Sequence, residues 1–336
     1  MSQTLSPKSD GRRIQTGRLQ GFLRAAGVFV VVAALVVLGA LTSREFLRPD
    51  NLFNILRAVT LLGIVVVGVT FITFSGHYVD ISIPGIMALS GIVAVAALPL
   101  GIVPAILCGL IAGVLIGSIN GYIVGYLRVN PIIWTLAMMS ILDGLMRWYF
   151  QGKQVYPDKS SHAGAWLLGL YDAKLFGFIP LIFVVLAVLA AAGAFLMGRT
   201  SYGARLKLVG SAYEPARMTG INVNATVALA FIISAFTAAI AGILLTSFNQ
   251  VGSPTVGAKY DFSAVTAVVL GGVTLAGGRG SVISALGGVL IIGLLQNIMT
   301  LLHIGTFGQV IVQGFVFILA VGIQAYALRR AGRDDT

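Results

Sequence analysis

The chain has 336 residues, of which 57% are hydrophobic and only 10% charged, against roughly 25% charged residues in a water-soluble domain. This excludes a soluble globular fold and a disordered chain, and leaves a polytopic membrane protein. The net charge of +11 calls for no nucleic acid, because basic residues beside apolar spans set orientation and meet anionic headgroups.

After a polar N-terminal tail over residues 1–24, the chain offers ten apolar stretches near the ~20 residues that cross about 30 Å of hydrocarbon. They cover 25–42, 56–74, 82–99, 101–122, 131–149, 176–197, 226–247, 262–276, 281–302 and 308–328, and a polar tail follows at 329–336. The first stretch is expected to stay as a helix, since its apolar core exceeds the roughly 7–15 residues of a signal peptide. Pro84 and Gly85 interrupt the region between the second and third stretches. The eighth is short, and Gly271-Gly272 with Gly277-Gly278 predicts a broken helix packed in protein. The fold class expected is therefore all-α, a membrane helical bundle of about ten spans over residues 25–328.

Ten crossings place both termini on one side, and the basic residues choose it. With a cytoplasmic N-terminus, 14 of the 22 Lys and Arg fall inside, among them Arg128, Arg199, Arg205, Lys207, Arg217 and Arg279. Arg48, Arg57, Arg147 and Lys259 belong to the outside minority.

The chemistry of an enzyme is not legible. His77, His162 and His303 are scattered and lack the spacing that puts metal ligands on one helix face. Cys108 is the one cysteine, so neither an intrachain disulfide nor a multi-cysteine metal site is available. Gly277-Gly278-Arg279-Gly280-Ser281 lacks the spacing and the lysine of a P-loop, so no cofactor is expected on this chain. Transport becomes the default. Only Asp80, Asp143 and Asp261 lie near membrane depth, thin provision for a proton relay, and Asp143 has Arg147 one turn later as an i,i+4 partner.

Between the sixth and seventh stretches lies a polar island, Gly210 to Asn224. A helix over about Tyr213 to Thr219 would set Glu214 and Arg217 on one face, with Pro215 in its first turn and Gly220 as its stop. On physical grounds alone an ordinary basic loop fits these residues equally well.

The sequence Glu214-Pro215-Ala216-Arg217-Met218-Thr219-Gly220-Ile221-Asn222-Val223 resembles the coupling-helix region of permease subunits of ribose-type ABC sugar importers, which reads roughly Glu-Ala-Ala-Arg-Leu-Ser-Gly-Ile-Asn-Val. Ala267 to Gly280 is similar to that family's late glycine-rich signature, and Asn51-Leu52-Phe53-Asn54-Ile55-Leu56-Arg57 to the start of its second helix. The resemblance runs in family order over about residues 46–328. It implies a pore of two permease copies, or of this chain and a sister permease, each with the ten-helix type II architecture of vitamin B12 importers. It also implies ATP-binding subunits that hold ATP and Mg, an extracytoplasmic sugar-binding protein, and a place in the bacterial inner membrane. Glu214, Pro215, Ala216, Arg217 and Gly220, in the segment 212–221, would then transmit ATPase movement.

Two departures bear on cargo. The family usually carries Gly-Gly-Ile-Asp-Leu-Ser-Val-Gly where this chain has His77-Tyr78-Val79-Asp80-Ile81-Ser82-Ile83-Pro84. His77 and Tyr78 either narrow the conduit and offer hydrogen bonds to a hydroxyl-rich solute or simply pack, while Asp80 either caps backbone N–H groups at the third helix or faces water. Where the family has Tyr-Glu-Leu-Asp, this chain has Tyr260-Asp261-Phe262-Ser263. Candidate pathway residues are thus His77, Tyr78, Asp80, Ser82 and Asp261, joined by Gln296 and Asn297. Interhelical hydrogen bonding also accounts for Gln296 and Asn297, as it does for Asn120, Gln309 and Gln313. The loop Gln151 to Lys174, with Lys153, Asp158, Lys159, Trp166 and Asp172, is read as a docking surface for the binding protein or as an aromatic belt. Nucleoside or branched-chain amino acid cargo in the same architecture, and a self-sufficient secondary carrier, remain the alternatives.

Overall fold

The structure, a computed structural model, describes residues 27–76 and 79–333, with 327–333 given by backbone alone. The N-terminal tail at 1–24 and the residues His77 and Tyr78 lie outside the described residues. Besides one 3-10 turn at Leu98–Leu100 and one short hairpin, the regular structure of the described residues consists of thirteen α-helices. They are α1 (Gly27–Thr42), α2 (Pro49–Phe74), α3 (Ile83–Ala96), α4 (Ile102–Gly125), α5 (Pro131–Tyr149), α6 (His162–Gly169), α7 (Leu181–Arg199), α8 (Ser201–Ser211), α9 (Tyr213–Met218), α10 (Val223–Asn249), α11 (Tyr260–Leu270), α12 (Val282–Leu301) and α13 (Thr306–Arg333). The hairpin pairs β1 (Lys174–Leu175) antiparallel with β2 (Ile179–Pro180).

Each of the ten apolar stretches contains one of these helices, and six of them, α2, α4, α7, α10, α12 and α13, are long and apolar enough to cross a membrane. The ends differ from the expectation for local reasons. The sixth stretch begins helix only at Leu181, because Phe176 and Gly177 take positive φ and turn the hairpin. The eighth stops at Leu270, because Gly271 ends the helix and Gly272 has φ +80°. α8 carries the helix through Gly210 and Ser211, so the polar island begins inside a helix. α13 runs on to Arg333, past the expected start of the tail at 329.

Helix starts follow local chemistry. The Asn130 side chain accepts the N–H groups of Ile132 and Ile133, with Pro131 at the first helical position of α5, where its missing N–H costs nothing. Asn222 accepts Ala225 N–H at 3.0 Å at the start of α10, and Ser281 with Ser284 forms a reciprocal capping box for α12.

The core is built on α2 and α10. From Val59 through Phe74 every residue of α2 is buried, as is most of α10. α4 lies along α10 through glycines spaced by four: a Cβ on Gly113 would fall 2.6 Å from Ala239 Cβ, on Gly117 2.3 Å from Ala235 Cβ, on Gly121 2.6 Å from the Ala228 carbonyl oxygen, and on Gly125 2.7 Å from that of Asn224. Only glycine allows two helix backbones to approach this closely. By contrast most of α1, α7 and α13 points outward with exposed Val, Leu, Ile and Phe, as lipid contact or a partner helix requires.

α3 and α11 have 14 and 11 residues, lengths of about 21 and 16 Å, too short to span alone. Gly242, about three-quarters of the way along α10, faces the Met87 carbonyl one turn into α3, so α3 begins just past the middle of α10 and runs toward its C-terminal end. The segment after α10 doubles back: Gly252 packs on Ile92, and Gly257 approaches the Pro84 carbonyl so closely that a Cβ there would lie 2.6 Å away. α11 therefore also begins near mid-depth. It runs the opposite way from α3, ending where the turn at 274–280 meets the end of α2.

Candidate functional site

The two half-length helices bring their N-terminal ends to the middle of the bundle, and an Asp-x-Ser triplet stands at each. Asp80-Ile81-Ser82 immediately precedes α3, with Ser82 as its N-cap residue, whereas Asp261-Phe262-Ser263 lies within the first turn of α11, which begins at Tyr260. Helix N-termini carry unpaired N–H groups and the positive end of the peptide dipole, so discontinuous helices of this kind favour acceptor oxygens on a solute.

Asp80 is fully buried, and its Oδ1 accepts the Ser82 N–H at 2.8 Å and the Ser82 hydroxyl at 2.5 Å. Ser82 Oγ in turn accepts Asn120 Nδ2 from α4 at 2.8 Å, and Asn120 Oδ1 accepts the Trp134 indole N–H from α5 at 2.9 Å. Alongside, Ile81 N–H donates to Thr135 Oγ1 at 3.0 Å. Three chain segments, the one before α3 with α4 and α5, are thereby joined by hydrogen bonds. Of the two readings of Asp80, the backbone-bonding one describes Oδ1, whose partner is the residue at the mouth of α3. Asp80 Oδ2 has no hydrogen-bond partner among the described residues. A buried carboxylate oxygen left without a donor is costly, and this one belongs to the segment that the sequence placed in the pathway.

The second half-site shares one contact of this kind. Ser263 Oγ accepts Gln313 Nε2 from α13 at 2.9 Å, the counterpart of Asn120 on Ser82. Asp261 is half-buried in the first turn of α11. The structure thus brings Asp80, Ser82 and Asp261 to the ends of two neighbouring half-helices. It does not bring Gln296 or Asn297 there: both lie near the end of α12, and Asn297 exchanges hydrogen bonds with Asn51 at the start of α2, at 2.7 and 3.0 Å. Gln309 and Gln313 bond Thr300 and Ser263 across helices, and Asp143 is held by Arg147 Nε at 2.9 Å, as their spacing implied.

The second candidate region is α9. It is a separate six-residue helix, with Ala216 buried and Glu214, Pro215, Arg217 and Met218 exposed, Met218 at 88%. Gly220 has φ +77° and its N–H bonds the Arg217 carbonyl at 3.2 Å, the left-handed stop expected of it. Among the described residues neither Glu214 nor Arg217 has an ion-pair partner, so both charges face outward. Just before α9 three backbones meet. Gly278 N–H donates to the Phe74 carbonyl at 2.8 Å, and a Cβ on Gly210 would overlap that same oxygen. A Cβ on Gly277 would meet Gly210 and Gly76 at 2.7 Å. The late glycine-rich turn is thus the seat of the segment that leads into α9, a role that spacing alone did not reveal.

Charge follows the same polarity. α9, the α4–α5 turn with Arg128, and the turn with Arg279 all lie at one end of the bundle. At the other end Arg48, Arg57 and Arg147 are each paired with an acid, Glu45, Asp172 and Asp143. There the loop 151–174 is partly built in. Val155 and Gly252 form a backbone bridge, Tyr171 N–H donates to Ser247 Oγ at 3.0 Å, Arg57 stacks over Tyr171, and Leu167 is buried. Trp166 stays exposed.

Comparison with known proteins matches residues 51–321 to the family described as the branched-chain amino acid transport system / permease component. The chain is 35% identical over 311 residues to the ribose import permease protein of Bacillus subtilis, covering 90% of this chain and 92% of that one. It is 31% identical to the ribose import permease protein of Haemophilus influenzae over 94% of this chain and 96% of the relative. With the L-arabinose transport system permease protein of Escherichia coli it shares 33% identity over 89% and 90%. No solved structure matches.

Proposed function

The chain belongs to this family of transport-system permease components, and from that premise we propose how it moves its solute. It is the multi-pass inner-membrane permease subunit of an ABC importer for a sugar, not an enzyme in its own right. The observation that carries this is similarity to ribose and arabinose permeases over some nine-tenths of the chain. In the proposal, ATP and Mg are held by separate ATP-binding subunits, an extracytoplasmic binding protein delivers the sugar, and a second permease copy or a sister permease completes the pore. The ten stretches, each with its helix, support the type II ten-span arrangement. Arg128, Arg217 and Arg279 at the α9 end, which have no ion-pair partner among the described residues, support cytoplasmic termini.

Within that arrangement α9 is the coupling helix. Its exposed Glu214, Pro215, Arg217 and Met218 form the docking face, Ala216 anchors it and Gly220 ends it. The pathway runs past the paired starts of α3 and α11. Asp80, Ser82 and Asp261, with His77 and Tyr78 in the adjoining segment, offer hydrogen bonds suited to hydroxyls, and the helix dipoles favour a solute rich in oxygen. Gln296 belongs to the outer part of α12, and Asn297 serves there as a clasp rather than as a pathway group.

The test is uptake into proteoliposomes containing this chain, its ATP-binding subunits and its binding protein. ATP-dependent uptake of ribose, arabinose or galactose is expected. Uptake of leucine or a nucleoside with no sugar competing would overturn the cargo, and proton-driven uptake by the chain alone would overturn the mode of drive.

A further inference from the structure

We propose that Arg128 and Tyr213 form a latch that fastens the first residue of α9 to the α4–α5 turn, and that this turn carries α9 movement to the Asp80–Ser82–Asn120–Trp134 network. The inference rests on the reading of α9 as the docking helix and goes beyond it by naming how α9 holds the pore.

A six-residue helix has little stability of its own, and the Ala212 that precedes α9 gives it no side-chain cap. Its position therefore depends on what it touches. Ala216 is its one buried residue, and Tyr213, half-buried, has the Arg128 guanidinium 5.5 Å from its ring centroid, within cation–π range. Arg128 is held at φ +57°, a conformation that side chains other than glycine adopt at a cost. The turn that imposes it is braced on both sides. Leu127 and Val129 N–H groups bond back to Tyr122 and Ile123, and Asn130 caps α5.

The braced turn belongs to a single unit. α4 reaches it from Asn120 and α5 leaves it toward Trp134, and these two side chains bond each other at 2.9 Å. One end of the unit thus presents Arg128 to α9, and the other presents the Asn120 amide to Ser82, the partner of Asp80. Between Tyr213 and the unit lies a cavity of about 170 Å³ lined by Val124, Arg128, Asn130, Pro131 and Val227. The ring can therefore shift under load without unseating the helices. Arg128 and Tyr213 act as positioning residues, with no contact to the solute.

The experiment uses the complete complex in nanodiscs, with partner tryptophans replaced by Phe and Trp134 left as the sole tryptophan through Trp148→Phe and Trp166→Phe, both at exposed positions. ATP with vanadate is expected to shift Trp134 emission. Tyr213→Ala and Arg128→Gln should each shrink that shift about two- to five-fold, the range a partly exposed cation–π contact can bias. The double variant should do no more than either single one, and Tyr213→Phe, which keeps the ring face, should retain the shift. A full shift in Tyr213→Ala, or no shift in the parent, would overturn the latch. The docking reading is checked apart from it, by cross-linking Met218→Cys to the ATP-binding subunit in a Cys108→Ser background. Absence of that cross-link sinks the docking of α9, whereas its presence with an unaltered Tyr213→Ala shift sinks the latch alone.

Discussion

The amides of Asn51 and Asn297 bond each other in both directions, tying the start of α2 to the end of α12 across 246 residues of sequence. Asn51 Nδ2 also donates to the Phe46 carbonyl at 2.8 Å, which draws the α1–α2 connection into the same clasp. Such a pair inside a membrane bundle contributes about 0.6–2 kcal/mol. Asn297→Ala should lower thermal stability by that order, seen as a reduced melting temperature in detergent. KM for sugar should be unchanged, and Asn51→Ala added on top should cost little more. A raised KM with normal stability would return Asn297 to the pathway.

Asp80 and Asp261 provide the opposite case. Asp80→Asn keeps size and shape but replaces an acceptor oxygen by a donor in a buried network. With Asp80 in the pathway, sugar uptake should fall about 10-fold or more, the worth of a charged hydrogen bond of roughly 1.5–3 kcal/mol. Insertion and assembly with the ATP-binding subunits should persist. Asp261→Asn should raise KM in the same direction. The check is initial-rate uptake over a range of sugar concentrations.

Ser82→Ala removes the hydroxyl that links Asp80 to Asn120, leaving both buried partners short of a bond. The expected cost is about 1–3 kcal/mol, with altered Trp134 fluorescence in the resting protein because its acceptor Asn120 is freed. Ser263→Ala, with Gln313 as the orphaned partner, should be destabilising to a similar degree without that spectral change.

For α9, Glu214→Ala and Gly220→Asp are expected to abolish uptake and uncouple ATP hydrolysis from sugar, while membrane insertion is normal. The two act differently. Glu214 is an exposed charge with no ion-pair partner among the described residues, whereas Gly220 at φ +77° would force any other side chain into the left-handed region. Gly220→Asn, which tolerates that region better, should therefore recover part of the activity that Gly220→Asp loses. Equal loss in both would place the requirement in the missing side chain rather than in the backbone.

Much of this was legible in the chain. Hydropathy located a helix in every one of the ten stretches, because apolar length is the dominant signal in lipid. The i,i+4 spacing gave the Asp143–Arg147 pair, while the Pro215 and Gly220 punctuation left α9 level with an ordinary basic loop until the resemblance favoured the helix. Long-range partners were not legible: nothing local to Asn297 points to Asn51, and nothing local to Ser82 points to Asn120. The depth of α3 and α11 also escaped, since short apolar runs look alike whether they end at the surface or at the middle of a bundle. The repeated Asp-x-Ser at their starts was visible, and becomes meaningful only once the two helix ends are known to be neighbours. The glycines of α4 at 109, 113, 117, 121 and 125 were equally visible, a small-residue period that hydropathy passes over.

That period also sets what substitution at the seam will do. Gly121→Val should be severely destabilising, beyond the roughly 1–3 kcal/mol of ordinary overpacking, because it meets the Ala228 carbonyl rather than a movable side chain. Gly144→Ala in α5, with open space around it, should be neutral in the same thermal assay.

Where the Gly121–Gly125 end of α4 touches α10, the surfaces in contact are largely main chain, and every residue type has the same main chain. A change at Gly121 or Gly125 therefore has no second-site remedy at Ala228 or Asn224, since no replacement there withdraws a carbonyl oxygen. Ordinary cores drift by trading a large residue on one helix for a small one on the other. At Gly121 and Gly125 this seam has nothing to trade, so its spacing there is inherited whole or lost, and α4 and α10 must move as one body in whatever motion the permease makes.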